Sequence, residues 1–411
     1  MSQPLAALRR GRPPTVLFVS HSFPPHGAPL KNVGGMQRVA VELHAALAAH
    51  PGVRFHSRIL EGSWRWTGVR TPGFLAWLWA SLPRSVRVHG VDVVLFSSAV
   101  TAVLAPSMRR RLRARGTRLG AIVHGLDLTE PAPLWQPLVR RSLAALDEVF
   151  PVSTATARQA VARGAAPERV HVVSNGVDVW RFPAVGDRGA ARAELLRWLG
   201  GAEMGIPEDA LLLASVGRHV ERKGFRWFVE HVVPRLPANA VYLLGGEGPE
   251  TPAIRAAVRA AGVEGRVRML GRLTEAELLR LYRGADLFLM PNVPVENDME
   301  GFGIVILEAA LCGLPTLGAG LEGIRDAVTE GQNGHLVPPG DADAYVEAIA
   351  RYAGDRGALE RLSARAREWV APRYSWDRIA DRFVRHWSGE APAAGLEPER
   401  RPTGTLASET L

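Results

Sequence analysis

Strand-length apolar runs alternate with helical periods along most of this 411-residue chain, and that alternation permits few folds. A strand, an amphipathic helix and a second strand make a βαβ unit, whose parallel strands lie in a sheet covered by helices. The first run spans residues 15–20, followed by a loop rich in Pro and Gly and a helix at 36–50. Further strands are expected at 92–97, 119–124 and 148–152, with 170–173 closing that sheet. A second series begins at 211–216 and continues at 240–244, 267–270, 287–290 and 315–317. Turn residues and Pro183 interrupt the pattern between 176 and 205, so two doubly wound units in tandem fit better than one large sheet. The expected fold class is therefore α/β, with Rossmann-like doubly wound parallel-sheet domains at residues 1–180 and 181–374. Residues 341–370 read as helices. Ser375 is placed to N-cap another helix, with Trp376, Ile379, Phe383 and Trp387 on one face. Residues 389–411, rich in Pro, Ala, Gly and charge, read as a disordered tail.

Composition removes several function classes. The longest apolar runs fall well short of the ~20 residues a membrane helix needs, and the N-terminus lacks the apolar core of a signal peptide. A cytoplasmic protein is expected, peripheral to the inner face of the membrane at most. The single cysteine, Cys312, excludes a disulfide framework and a Cys-based zinc cluster, and reads as a small core residue. The net charge of +9 is unevenly spread: residues 1–190 carry 24 Lys and Arg against 10 Asp and Glu, and the remainder 26 against 31. A basic first half suits an anionic partner, although 48 of the 50 basic residues are Arg, so part of the excess is compositional. Trp64, Trp66, Trp77 and Trp79 stand close to Arg65, Arg70, Arg84 and Arg87, with a second basic run of Arg109, Arg110, Arg111, Arg113 and Arg115. Aromatic and Arg side chains together suit an anionic membrane interface. A core helix with buried Trp and a solvated Arg face is the competing reading. Nothing accompanying the charge resembles a nucleic-acid-binding motif, so no nucleic acid is expected.

The chemistry-bearing pattern is Glu300-Gly-Phe-Gly-Ile-Val-Ile-Leu-Glu308. A Gly-rich turn entering a helix presents backbone N–H groups and the positive end of the helix dipole, a ready site for a diphosphate. Gly301 and Gly303 let the backbone approach a ligand closely. Glu308, further along the helix, can accept two hydrogen bonds from a ribose diol. Upstream, Gly217-Arg-His-Val-Glu-Arg-Lys-Gly224 follows the first strand of the second series and supplies Arg218 and Lys223. A compact ammonium suits a diphosphate as a point charge. Gly245-Gly-Glu-Gly-Pro249 makes a tight turn containing Gly246, and Leu273 follows the next strand. In the first domain Gly34 and Gly35 open a helix whose free amides can face an anion. His124 and Asp127 sit just after a buried-looking strand, at the edge where open α/β sheets place ligands. Ser153 and the turn at 175–178 read equally well as plain turn chemistry. Asp341 and Asp343 superficially match a metal-binding pair, but Asp341 follows Pro338-Pro-Gly340 and opens a helix, so it reads as an N-cap. No metal site is expected.

Taken in this order, the motifs resemble glycosyltransferase family 4, most closely over residues 211–340. The resemblance implies a GT-B fold, with two Rossmann-like domains facing across a cleft and the chain returning to the first domain through helix 375–388. It implies a retaining enzyme that moves a hexosyl unit from a UDP- or GDP-sugar to the hydroxyl of a lipid-linked or saccharide acceptor. Bacterial cell-surface polysaccharide or glycolipid synthesis would be its setting. Arg218 and Lys223 would bind the departing diphosphate, with Gly34, Gly35 and Gly217 lining it. Glu300, Phe302, Gly303 and Ile304 would hold the donor sugar, Glu308 the ribose, and Gly246 and Leu273 the nucleotide. His124 would lie near the transferred sugar, and Gln37 and Asp127 on the acceptor side. No cofactor is expected, and Mg2+ is dispensable because cations and helix starts neutralise the diphosphate. The polar segment 292–298 is longer than in many relatives and leaves the sugar open. An NDP-sugar 2-epimerase of the same fold and a non-catalytic nucleotide-sugar-binding protein are the alternatives. A dehydrogenase is disfavoured because the first βα turn lacks the dinucleotide fingerprint.

Overall fold

A computed structural model of the chain describes residues 12–25, 34–62, 64–201 and 205–390. Of the expected tail at 389–411, residues 391–411 lie outside the described residues, as do the N-terminal residues 1–11. The chain forms two compact units: residues 1–176 with 374–411, and residues 177–373. The boundary falls four residues before the expected one.

The first unit carries a five-stranded, all-parallel sheet in the order β2-β1-β3-β4-β5. Its strands are β1 (Thr15–Phe23), β2 (Arg54–Glu61), β3 (Val93–Phe96), β4 (Arg118–Val123) and β5 (Glu148–Pro151). The central runs are buried on both faces, as parallel strands under helices must be. Two expectations are corrected. The edge strand β2 was not foreseen, and residues 170–173 form only an isolated bridge at Val170 beside β5. His171 and Val173 donate to the carbonyls of Val149 and Pro151, but Pro151 has no N–H to extend the ladder.

The helix Trp376–Ser388 belongs to this unit. Ser375 caps it by accepting from the Arg378 amide, and Trp376, Ile379, Phe383 and Trp387 are buried on one face. Phe383 and Trp387 pack edge-on against Phe150 of β5, with ring centroids 4.9 and 6.4 Å away. A Cβ at Gly176 would lie 2.6 Å from the Trp376 ring, so glycine lets the indole lie on the backbone there. Beneath it, the buried Glu148 takes Arg118 at 2.8 Å and His386 at 3.2 Å.

The helix Trp64–His89 runs unbroken through Pro72 and Pro83. Phe74, Leu78, Leu82 and Val86, at helical spacing, face the core. Trp66, Trp77 and Trp79 remain 62%, 49% and 46% exposed, which overturns the buried-Trp alternative for these three residues.

The second unit carries a six-stranded parallel sheet, β11-β10-β9-β6-β7-β8. The strands are β6 (Leu211–Val216), β7 (Ala240–Gly245), β8 (Val267–Gly271), β9 (Leu287–Met290), β10 (Thr316–Ala319) and β11 (Gly334–Val337). Only β11, a short edge strand, was not foreseen. Asp341 caps its helix by accepting from the Ala344 amide at 2.9 Å, as its position after Pro338-Pro-Gly340 predicts. Cys312 is buried.

Candidate functional site

In the second unit, the loops after β6, β7, β8, β9 and β10 leave the carboxyl edge of the sheet, where open α/β sheets place ligands. Their backbones touch. Gly246 has φ +120, and a Cβ there would lie 1.9 Å from the Gly217 carbonyl oxygen, so only glycine fits. A Cβ on Gly224 (φ +65) would meet the Pro291 carbonyl at the same distance. Leu273 lies over Gly245, its Cδ1 2.7 Å from where a Cβ would stand. These contacts bring the chemistry-bearing loops within reach of one another.

Glu300 is the centre of that edge. Its Oε2 is 2.5 Å from Lys223 Nζ and 2.6 Å from Arg222 Nη1, and it accepts from Asn292 Nδ2 at 3.4 Å. Arg222 also takes Asp298 at 2.9 Å, anchoring the polar segment before the glutamate. Burial opposes the charge on Glu300, yet Lys223 and Arg222 outweigh it and hold the carboxyl at about 2. Burial also pulls the Lys223 ammonium below its ordinary value, and Glu300 works against that. Because the Glu300 pKa is depressed, its pairing stabilises the fold above the ordinary carboxylate range, and that contribution is lost as pH falls toward 2.

The turn after Glu300 places Gly303 at φ +86 and starts the buried helix Ile304–Leu311. Phe302 is buried, and the N-terminal amides of the helix follow it directly. Glu308, two per cent exposed, accepts from the Tyr282 hydroxyl at 3.4 Å. Arg218 behaves differently from Lys223. It is exposed, and among the described residues no side-chain partner is assigned to it. The structure therefore gathers Lys223, Glu300 and Asn292 into one network and leaves Arg218 facing solvent as an uncommitted cation. Sequence reasoning missed Arg222. Its signal was present, one residue before Lys223 in the same turn, but nothing local tells that it reaches Glu300.

In the first unit a polar cluster occupies the carboxyl ends of β1, β3 and β4. His124 Nε2 is 2.8 Å from the Ser97 carbonyl, which can only accept, so that nitrogen carries the proton. Asp127 is buried, accepting from the amides of His124 (2.8 Å) and Ala99 (3.0 Å). Its carboxylate thus fixes the loops around His124. His21, at the end of β1, joins this cluster, and burial pushes its pKa down to about 4, against the pull of Asp127. Sequence reasoning missed it: it lies within the last residues of β1, whereas His124 directly follows β4. Gln37 Oε1 accepts from the Gly34 amide at 3.1 Å and closes the start of the Gly35–Ala49 helix. Gly34 and Gly35 have open space where a Cβ would stand. Ser153 is an N-cap, and Asp178 closes a turn by accepting from the Trp180 and Arg181 amides. Among the described residues no group of three or more His, Cys, Asp or Glu is arranged to hold a metal ion. No helix among them is long and apolar enough to cross a membrane.

Two family models match the chain: Glycosyltransferase Family 4 over residues 33–181 and Glycosyl transferases group 1 over residues 210–355. The chain is 30% identical over 318 residues to a GDP-mannose-dependent alpha-(1-6)-phosphatidylinositol monomannoside mannosyltransferase of Mycobacterium tuberculosis, covering 75% of this chain and 79% of that one. It is 33% identical over 276 residues to a D-inositol 3-phosphate glycosyltransferase of Geodermatophilus obscurus, covering 64% and 57%. Among solved structures, Anabaena HepE in complex with UDP superposes with a TM-score of 0.69 at 17% identity, over 91% of this chain and all of that one. Sucrose-phosphate synthase of Thermosynechococcus elongatus gives 0.68 at 18% identity, over 92% and 99%.

Proposed function

This chain belongs to glycosyltransferase family 4, and we propose that it moves a hexosyl unit from a nucleoside diphosphate sugar to an acceptor hydroxyl with retention of configuration. The observation that carries this is Glu300, kept ionised by Lys223 and Arg222 beside a glycine-turned helix start. A fixed carboxylate next to converging amides suits sugar hydroxyls, and the helix start with Arg218 suits a diphosphate. The mycobacterial relative is named for GDP-mannose and HepE is solved with UDP, which supports a nucleotide-sugar donor with either base.

Retention through a double displacement needs a carboxylate nucleophile. In the first unit the carboxylate beside His124 is Asp127, and both its oxygens are engaged by backbone amides. Front-face attack is the better reading. The leaving phosphate oxygen takes the acceptor's proton, the C–O bond to phosphate breaks as the new glycosidic bond forms, and catalysis rests on positioning and electrostatics. A donor at about 100 times its Kd adds roughly 2.7 kcal/mol, or about 5–10 °C of melting temperature. Screening UDP-, GDP- and ADP-sugars by thermal shift is expected to give such a rise with one base. No rise with any of them would count against a donor site.

An anionic membrane contact through the first unit is part of this proposal. Between residues 62 and 126 stand ten Arg and one acidic residue, Asp92, which is itself bonded to Arg12 and the Thr15 amide. Exposed Trp66, Val69, Trp77 and Trp79 line the outward side of the Trp64–His89 helix, and Arg111 stacks on Trp79 at 5.4 Å. Indole and guanidinium together suit a lipid interface with negative headgroups. This surface would bring the enzyme to a lipid-linked acceptor in polysaccharide or glycolipid synthesis. Replacing Trp66, Trp77 and Trp79 together by Ser is expected to cut binding to phosphatidylglycerol vesicles at least about tenfold. Vesicle binding as strong as that of the unaltered protein would refute the contact.

A further inference from the structure

Glu322, in the turn after β10, has φ +47. Among the described residues only Asn297 shares a left-handed backbone without being glycine. Asparagine tolerates that region, whereas a longer side chain is strained there. Such a conformation persists where the surroundings over-determine it, and here they do. Glu322 Oε2 accepts from the Glu300 amide at 2.5 Å, and the Gly323 amide donates to the Glu300 carbonyl at 3.1 Å. A Cβ at Gly323 would lie 2.2 Å from the Gly301 carbonyl oxygen, so the two segments are in backbone contact. Glu300 is thus gripped twice: its side chain by Lys223 and Arg222, its main chain by residues 322 and 323.

We propose that Glu322 is a positioning residue for the donor: its carboxyl holds the Glu300 amide and thereby fixes the Glu300 carboxylate and the Phe302 and Gly303 amides. The inference rests on the reading that residues 300–303 take the donor sugar. The groups around Glu322 are Glu300, with Lys223 behind it, Arg222 and Asp298, with Arg325 on its own segment. Burial pushes the Glu322 carboxyl up to about 7, and the Glu300 charge adds to that, while the Glu300 amide and Arg222 oppose it. An ionised carboxylate accepts from an amide more strongly than a protonated one. The hydrogen bond to the Glu300 amide therefore strengthens as pH rises through neutrality and weakens below it, while burial and the Glu300 charge make that ionisation cost folding stability.

The experiment is the pH dependence of donor KM and kcat between pH 6 and 8, with the nucleotide sugar that stabilises the wild-type protein. Wild type is expected to show donor KM rising several-fold as pH falls, with kcat changing less. Glu322→Gln keeps an acceptor oxygen but cannot ionise, and its KM is expected to be flat near the low-pH wild-type value. Glu322→Gly suits the backbone angle, so it is expected to fold and melt no lower, yet to show a raised and flat KM. A wild-type KM that does not vary, or either variant keeping the wild-type profile, would overturn the proposal. Amide hydrogen exchange over residues 299–305 without donor gives a second readout. It is expected to be at least about tenfold faster in Glu322→Gly than in wild type at pH 8, and equal rates would overturn the hold itself. Failure of every nucleotide sugar to bind wild type would overturn the donor role, and the exchange result alone would then decide whether Glu322 holds Glu300.

Discussion

Replacing Lys223 by alanine is expected to lower kcat/KM for the donor by at least about 10-fold and by as much as about 200-fold. A charge-assisted hydrogen bond contributes roughly 1.5–3 kcal/mol, and each ~1.4 kcal/mol is tenfold in rate. The structure adds a reason beyond the contact with a diphosphate that the resemblance implies. Lys223 is buried and 2.5 Å from Glu300, so its removal leaves a buried carboxylate with Arg222 as its remaining cationic partner. Removing one member of a buried charge pair costs more than the pair contributes, because the other charge stays desolvated. Part of the loss should therefore appear as stability, as a melting temperature several degrees lower for the second unit, and part as a shifted Glu300. Arg218→Ala separates the two causes. Arg218 is exposed and makes no such network, so its loss should weaken donor binding with the melting temperature nearly unchanged. Steady-state kinetics with thermal melts checks both, and a Lys223→Ala protein with unchanged kcat/KM would end its assigned role.

Ending the chain at Arg373 is expected to unfold the first unit. The cut removes the helix Trp376–Ser388, with Trp376, Ile379, Phe383, Val384 and Trp387 buried. At about 1.5–3 kcal/mol for each large apolar side chain, five of them approach the 5–15 kcal/mol that holds a typical domain together. The cut also strips His386 from the buried Glu148 and exposes Phe150, on which Phe383 and Trp387 pack. Differential scanning calorimetry should show one transition lost and the second unit's transition retained. An unchanged transition for the first unit would contradict this account of the helix.

Most of the fold is legible in the sequence because buried parallel strands are near-continuous apolar runs. The two unforeseen strands show the limit of that signal. β2 is an edge strand of the first sheet carrying Arg54, Arg58 and Glu61, half-buried along its length, and β11 has four residues at an edge of the second sheet. An edge strand is specified by its partner more than by its own pattern. The Trp64–His89 helix, with Pro72 and Pro83 inside it, shows tertiary packing overriding local propensity. For the site, the family resemblance puts Glu300, Gly303 and Lys223 in one group. It does not show that Lys223 and Arg222 converge on Glu300 from 77 and 78 positions away, or that Asp127 spends its carboxylate on backbone amides. Glu322 has no motif at all: its role depends on a backbone angle and a contact with Glu300 that only the folded chain creates.

Proton NMR of the products tests the central claim most directly. The protein is incubated with a UDP- or GDP-hexose, with and without alkyl glycoside or lipid-linked saccharide acceptors. The prediction is release of the nucleoside diphosphate together with a new glycosidic anomeric proton of the donor's own configuration, and only when acceptor is present. An inverted anomer would contradict the retaining mechanism. Conversion of the donor to its C2 epimer without acceptor, or no consumption of any nucleotide sugar, would contradict the transferase itself.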